Sequence, residues 1–276
     1  MTGNEEQDTL LNRRSFLGKA GSLMAGGLLS APIASKALAQ PYFANNSPAP
    51  GDYDFLFTRV KFQCNRRVGD RWNHFPGAEK NLLNELSRVT RCKIKETTNC
   101  RNGRPRRGKE DQFNAVVRLH DRDALRKHPF IFMTAEGEYS LSDREKENLK
   151  EFLSAGGFLM ADDCVWGRDG DFFFQGTCQI LRELFGQNSV RLIPNEHEIM
   201  HNIHDMRSIG LPLCLGVNRG PTGLFIGDRV AAFMSSTDLH CGWIVPGRKR
   251  VGPNGIHGYE PAVAMGVNVI AYSMLH

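Results

Sequence analysis

The stretch from Pro129 to Cys164 constrains the fold more than any other part of the chain. Phe130-Ile131-Phe132-Met133-Thr134 is a continuous, largely apolar run of strand length. A strand that is apolar on both faces belongs inside a parallel sheet covered on both sides. Glu136-Gly137-Glu138 turns the chain out of it. Ser142 followed three residues later by Glu145 is a capping box, and Leu149, Phe152 and Leu153 give the helix it opens a buried stripe. Gly156-Gly157 predicts a left-handed stop. Phe158-Leu159-Met160-Ala161 is the next buried strand, with Asp162-Asp163-Cys164 at its carboxyl end. Strand, helix and strand in this order make a βαβ unit, which crosses over between parallel strands.

The flanking sequence extends the same pattern. Residues 55–62 alternate as a strand, with Val60 and Phe62 on one face and Arg59 and Lys61 on the other. A polar loop with Asp70, Trp72 and Asn73 follows, then an amphipathic helix over 78–89 and a short strand over 92–96. Residues 172–185 predict a helix stopped by Gly186, 224–226 and 230–235 predict strands, and 245–258 a Gly/Pro-rich loop. A closing helix over 260–275 carries Ala262, Met265, Val269 and Ser273 on one face. Alternating strands and helices predict an α/β fold. A three-layer αβα sandwich with a mostly parallel sheet is expected, formed by one domain over 53–276.

The N-terminus reads as an address. Arg13 and Arg14, followed by Ser15-Phe16-Leu17 and Lys19, form the twin-arginine pattern. A Gly/Ala-rich apolar stretch over 20–33 follows, and Ala37 and Ala39 frame a small-x-small cleavage site. Residues 1–39 are therefore expected to be a twin-arginine signal peptide and 40–52 a linker. This implies export to the periplasm, with the Tat translocase as a partner in transit. The 20–33 stretch is short for a membrane span, and no span is expected in the mature chain. A net charge of +5 is too mild for a nucleic-acid signature. The basic stretch 99–110 has no interleaved aromatics for base stacking. It is expected to be a solvated insertion, with an anionic envelope polymer as the alternative. The seven cysteines form no C-x-x-C, which excludes zinc-ribbon and thioredoxin motifs; most are expected to be small buried residues.

Phe55-Leu-Phe-Thr-Arg59, Asn81-Leu-Leu-Asn-Glu-Leu86, the 129–163 segment with its Gly-Gly-Phe-Leu-Met-Ala-Asp-Asp, and Gly266-Val-Asn-Val-Ile-Ala-Tyr272 carry a resemblance. Together they resemble the bacterial domain-of-unknown-function family 4159. The resemblance implies a fold similar to class I glutamine amidotransferase-like, flavodoxin-like sandwiches, and no established activity. The chain departs from the family at His197-Glu198, where the family tends to show His-Pro.

Open α/β sheets bind ligands outside the carboxyl ends of their strands. The candidate binding residues are therefore Arg59, Glu136, Asp162, Asp163, Asp238 and His240. The catalytic candidates are Asp163, Cys164 and His197. A nucleophilic Cys164 is opposed by its setting. Related amidotransferases use Gly-x-Cys-x-Gly, neither glycine is present, and flanking carboxylates raise a thiol's pKa. A metal reading uses Glu136, Asp162 and Asp163, with His197 or His240, since carboxylates suit Mg²⁺ or Ca²⁺ and imidazole adds Zn²⁺ or Mn²⁺. Asp163 alternatively caps its own loop. Trp72, Trp166 and Trp243 fall in predicted loops, either packed over the sheet ends or open to a sugar or peptide. No nucleotide or flavin motif is present, and a divalent metal is the one cofactor the carboxylates suit. The leading expectation is an exported, non-catalytic ligand- or partner-binding envelope protein. The alternative is a metal-assisted hydrolase built on the carboxylate cluster. Substrate, disulfide pairing and oligomeric state stay open.

Overall fold

The computed structural model describes residues 54–64, 71–74, 77–95, 100–101, 104–105, 114–164, 170–244 and 259–276. The expected signal peptide over 1–39, the expected linker over 40–52, most of the basic stretch 99–110, Trp166 and the expected loop over 245–258 lie outside the described residues.

The chain opens with β1 (Asp54–Phe55) and β2 (Thr58–Val60), then α1 (Glu79–Val89), β3 (Lys93–Ile94), the short pair β4 (Cys100–Arg101) and β5 (Arg104–Pro105), and β6 (Ala115–Val117). Next come α2 (Arg122–Leu125), β7 (Phe130–Ala135), α3 (Asp143–Ser154), β8 (Phe158–Asp163), α4 (Phe172–Phe185) and β9 (Val190–Leu192). A hairpin of β10 (Thr222–Ile226) and β11 (Arg229–Ser235), the short α5 (Leu239–Gly242) and the terminal α6 (Tyr259–Leu275) complete it.

Seven strands form the main sheet in the order β6-β2-β7-β8-β11-β10-β9. The five from β6 to β11 run parallel, and β10 runs antiparallel to both its neighbours. The capping box is present, with Ser142 and Glu145 closing on each other's backbone, and Gly156 at φ 103° ends the helix as the sequence predicts. A β-carbon at Gly157 would fall 2.4 Å from the Phe152 ring, so the second glycine lets the chain pass close beneath α3.

Side chains along β7 and β8 alternate between two cores. Phe130, Phe132, Phe158 and Met160 pack with α1 and α6 on one face. Ile131, Met133, Leu159 and Ala161 pack with α3 and α4 on the other. This is a three-layer αβα sandwich, compatible with a flavodoxin-like one. Strand β8 is two residues longer than its apolar run, so Asp162 and Asp163 continue the alternation as buried members of the strand. Arg59, a candidate binding residue on the strand face opposite Val60 and Phe62, is 1 % exposed and points into the α1 side, where Glu79 on α1 supplies a counter-charge that the strand pattern does not reveal. Trp243 is fully buried and Trp72 nearly so, packed over the sheet ends.

Candidate functional site

The chain leaves β2 for β6 on one side of the sheet and leaves β7 for β8 on the other. The connections diverge between β2 and β7, the place where an open α/β sheet forms its crevice. The loop after β2 brings His74 to this point and the turn after β7 brings Glu136. His74 Nε2 stands 3.9 Å from Glu136 Oε1.

Strands β7 and β8 are paired in register, Thr134 opposite Asp162 and Ala135 opposite Asp163; Ser235 of β11 lies on the other side of Asp162. The tips at Glu136, Asp162-Asp163 and Asp238 are thus neighbours. Alternation nevertheless sends the two aspartates to opposite faces. Asp162 accepts hydrogen bonds from the backbone N–H of Leu239 (3.1 Å) and His240 (2.8 Å) on the α6 side. Burial first, then the charge of Asp238, pushes its carboxyl well above the usual range. Asp163 accepts from the Phe174 N–H at 2.8 Å, inside the first turn of α4. Burial drives its pKa up to about 7 against that hydrogen bond. Both carboxylates therefore work as backbone anchors, and they do not converge with Glu136 on one ion.

Arg59 is engaged by protein. Its guanidinium pairs with Glu79 and donates to the carbonyls of Trp72 (3.0 Å) and His74 (3.1 Å). It also lies 2.7 Å from His240 Nε2. Glu79, Arg59 and His240 are all at most 1 % exposed, so this is a buried ionic cluster that ties α1, β2 and α5 together.

Cys164 is buried at the end of β8, and its Sγ lies 3.8 Å from Sγ of Cys241 on α5. Contact with Cys241 draws the Cys164 pKa down, but burial and the carboxylates of Asp238, Asp162 and Glu136 outweigh it and leave the thiol at about 11. Its neighbour Cys164, burial and Asp238 likewise push Cys241 far up. These are protonated thiols, the opposite of what nucleophilic attack requires. Donor atoms of His74, Cys164 and Cys241 all lie within 4.8 Å of one another. Asp238 holds the turn into α5 in the left-handed region at φ 57°.

His197 is elsewhere. Its Nδ1 accepts from the Ile199 N–H at 3.2 Å, and its ring lies 5.3 Å from that of Tyr272. Tyr272 in turn packs on Phe158 and accepts from the Val230 N–H, both near the amino ends of their strands. The imidazole is thus at the far end of the sheet from Cys164 and caps a turn. Burial lowers its pKa.

Sequence reasoning missed His74, Glu79 and Cys241. For Cys241 a signal existed: Asp238-Leu-His-Cys241 follows β11 much as Asp162-Asp-Cys164 ends β8, acid then thiol. His74 sits in a loop with no periodicity, so only the topology brings it to the switch point.

The family model described as Domain of unknown function (DUF4159) matches residues 56–274 of the chain. No curated protein matches it.

Proposed function

The chain belongs to the family Domain of unknown function (DUF4159), and from that premise we propose an exported cell-envelope protein whose amidotransferase-like domain binds a ligand or partner without amidotransferase turnover. The observation that carries this reading is the state of Cys164. A thiol raised to about 11, buried against a second thiol and remote from His197, is not an activated nucleophile. The twin-arginine pattern at Arg13-Arg14 and the Ala37–Ala39 cleavage site support export to the periplasm. Among the described residues no helix is long and apolar enough to cross a membrane. The alternative hydrolase built on Glu136, Asp162 and Asp163 has less support, because the two aspartates are engaged on opposite faces of β8.

Two measurements test the reading. Cell fractionation of the full chain is expected to find it in the periplasm, and a doubly substituted Arg13→Lys, Arg14→Lys chain in the cytoplasm. Purified protein, assayed on glutamine and on simple amides, esters and phosphoesters, is expected to show no turnover that Cys164→Ala abolishes. A hydrolysis lost in that variant would overturn it.

A further inference from the structure

We infer that His74, Cys164 and Cys241, with Glu136 beside them, form a site for a thiophilic divalent cation of the Zn²⁺ class at the β2–β7 switch point. The inference deepens the binding reading above and rests on it. The donor set is the first argument. Two cysteines, one histidine and one carboxylate are the ligand types that Zn²⁺ takes, and hard cations such as Mg²⁺ and Ca²⁺ avoid sulfur.

Geometry is the second argument. Donors placed 2.0–2.3 Å from a tetrahedral ion stand roughly 3.3–3.8 Å apart. The two sulfurs are 3.8 Å apart, the separation of two zinc-bound thiolates. His74 Nε2 and Glu136 Oε1 are 3.9 Å apart, and the three soft donors lie within 4.8 Å of one another. Convergence of His74, Cys164 and Cys241 on one ion therefore needs shifts of less than about an ångström per side chain.

Their placement is the third argument. Each of the three converging donors comes from a different element: the loop after β2, the end of β8 and the first turn after β11. Three separate segments meeting at the carboxyl ends of neighbouring strands make a site and not a surface accident. On binding the metal, Cys164 and Cys241 would release their two thiol protons to solvent, leaving a thiolate pair that a dication neutralises.

The test uses the full chain, exported and purified in reducing buffer without chelator. Elemental analysis is expected to find about one zinc per chain, and exchange with Co²⁺ to give the visible ligand-field bands of a tetrahedral site together with a thiolate charge-transfer band. Cys164→Ser, Cys241→Ser and His74→Ala are expected to lose the charge-transfer intensity and the metal. Cys178→Ser, at a thiol buried on α4 away from the cluster, is expected to keep both. Metal at background in the wild type after incubation with excess Zn²⁺ overturns the inference, as does full retention in both serine variants. So does a Cys164–Cys241 disulfide found by non-reducing peptide mapping in metal-free wild type, which would make the pair a redox device. Should the serine variants fail to fold, the wild-type cobalt spectrum decides alone. Failure here, with no turnover detected, leaves the binding reading standing. Turnover that needs the metal would sink that reading and keep the site.

Discussion

Arg59 and Glu79 form an ion pair whose side chains are only 1 % and 0 % exposed, and it fastens α1 to β2. Removing one member of a fully buried pair leaves an uncompensated charge. Glu79→Ala is expected to cost about 3–5 kcal/mol in urea denaturation. The double variant Arg59→Met, Glu79→Leu is expected to cost less than Glu79→Ala alone, since apolar replacement of both partners removes the stranded charge. A double variant worse than the single would show that the guanidinium's bonds to the Trp72 and His74 carbonyls dominate.

Asn268 on α6 is fully buried and satisfied. Its Oδ1 accepts from the His204 N–H (2.8 Å), and its Nδ2 donates to the carbonyls of Ile199 (2.9 Å) and His204 (2.8 Å). The segment 199–204 is held to α6 by these bonds. Asn268→Asp removes both donors and buries a charge beside two carbonyls. A loss of about 3 kcal/mol is expected, with faster hydrogen exchange at the His204 amide.

Gly242 closes α5 against α6. A β-carbon there would fall 2.5 Å from both Ala262 Cβ and Cys214 Sγ. Gly242→Ala is therefore expected to destabilise the protein by about 1–3 kcal/mol through overpacking. It should also shift the chemical shifts of the adjacent Cys241. Unchanged melting would mean that α5 moves at little cost.

Asp171 stands at the head of α4 and is paired with Arg219, Nε to Oδ2 at 2.8 Å. Burial raises the Asp171 pKa, but hydrogen bonds from Arg219 and Gln175 outweigh it, and the carboxyl is held below its usual range. The folded state thus binds this proton less readily than the unfolded chain. The stabilisation is present above the ordinary carboxylate pKa and is lost as pH falls through the lower folded value. Arg219 is half exposed, so the effect is small. Arg219→Ala is expected to cost about 0.5–1 kcal/mol at neutral pH, and the two proteins are expected to converge as the pH falls below the lowered folded-state value. Parallel stability curves across that range would exclude the pair as the cause.

The βαβ unit was legible in detail because its signals are local: an apolar run, a capping box three residues wide and a glycine pair. The ends of β8 were less so. The apolar run stops at Ala161, and the pairing that carries the strand through Asp162 and Asp163 comes from β7 and β11, which no local window contains. The buried role of Arg59 depends on Glu79, twenty residues away across a loop, and a period of two assigns a strand residue to a face without saying which face has a counter-charge. The gathering of polar tips at one rim followed from the rule of strand carboxyl ends. Which tips share a hollow did not, because Asp162 and Asp163 are adjacent in sequence and opposed in space. His74 and Cys241, from two other segments, complete the soft cluster.

That opposition makes the tip of β8 a rivet through the sheet. Asp162 grips the α5 turn on one side and Asp163 the head of α4 on the other, with Cys164 next in the chain. One strand end is therefore bonded to both helical layers at once, so loosening either aspartate frees the layer it grips.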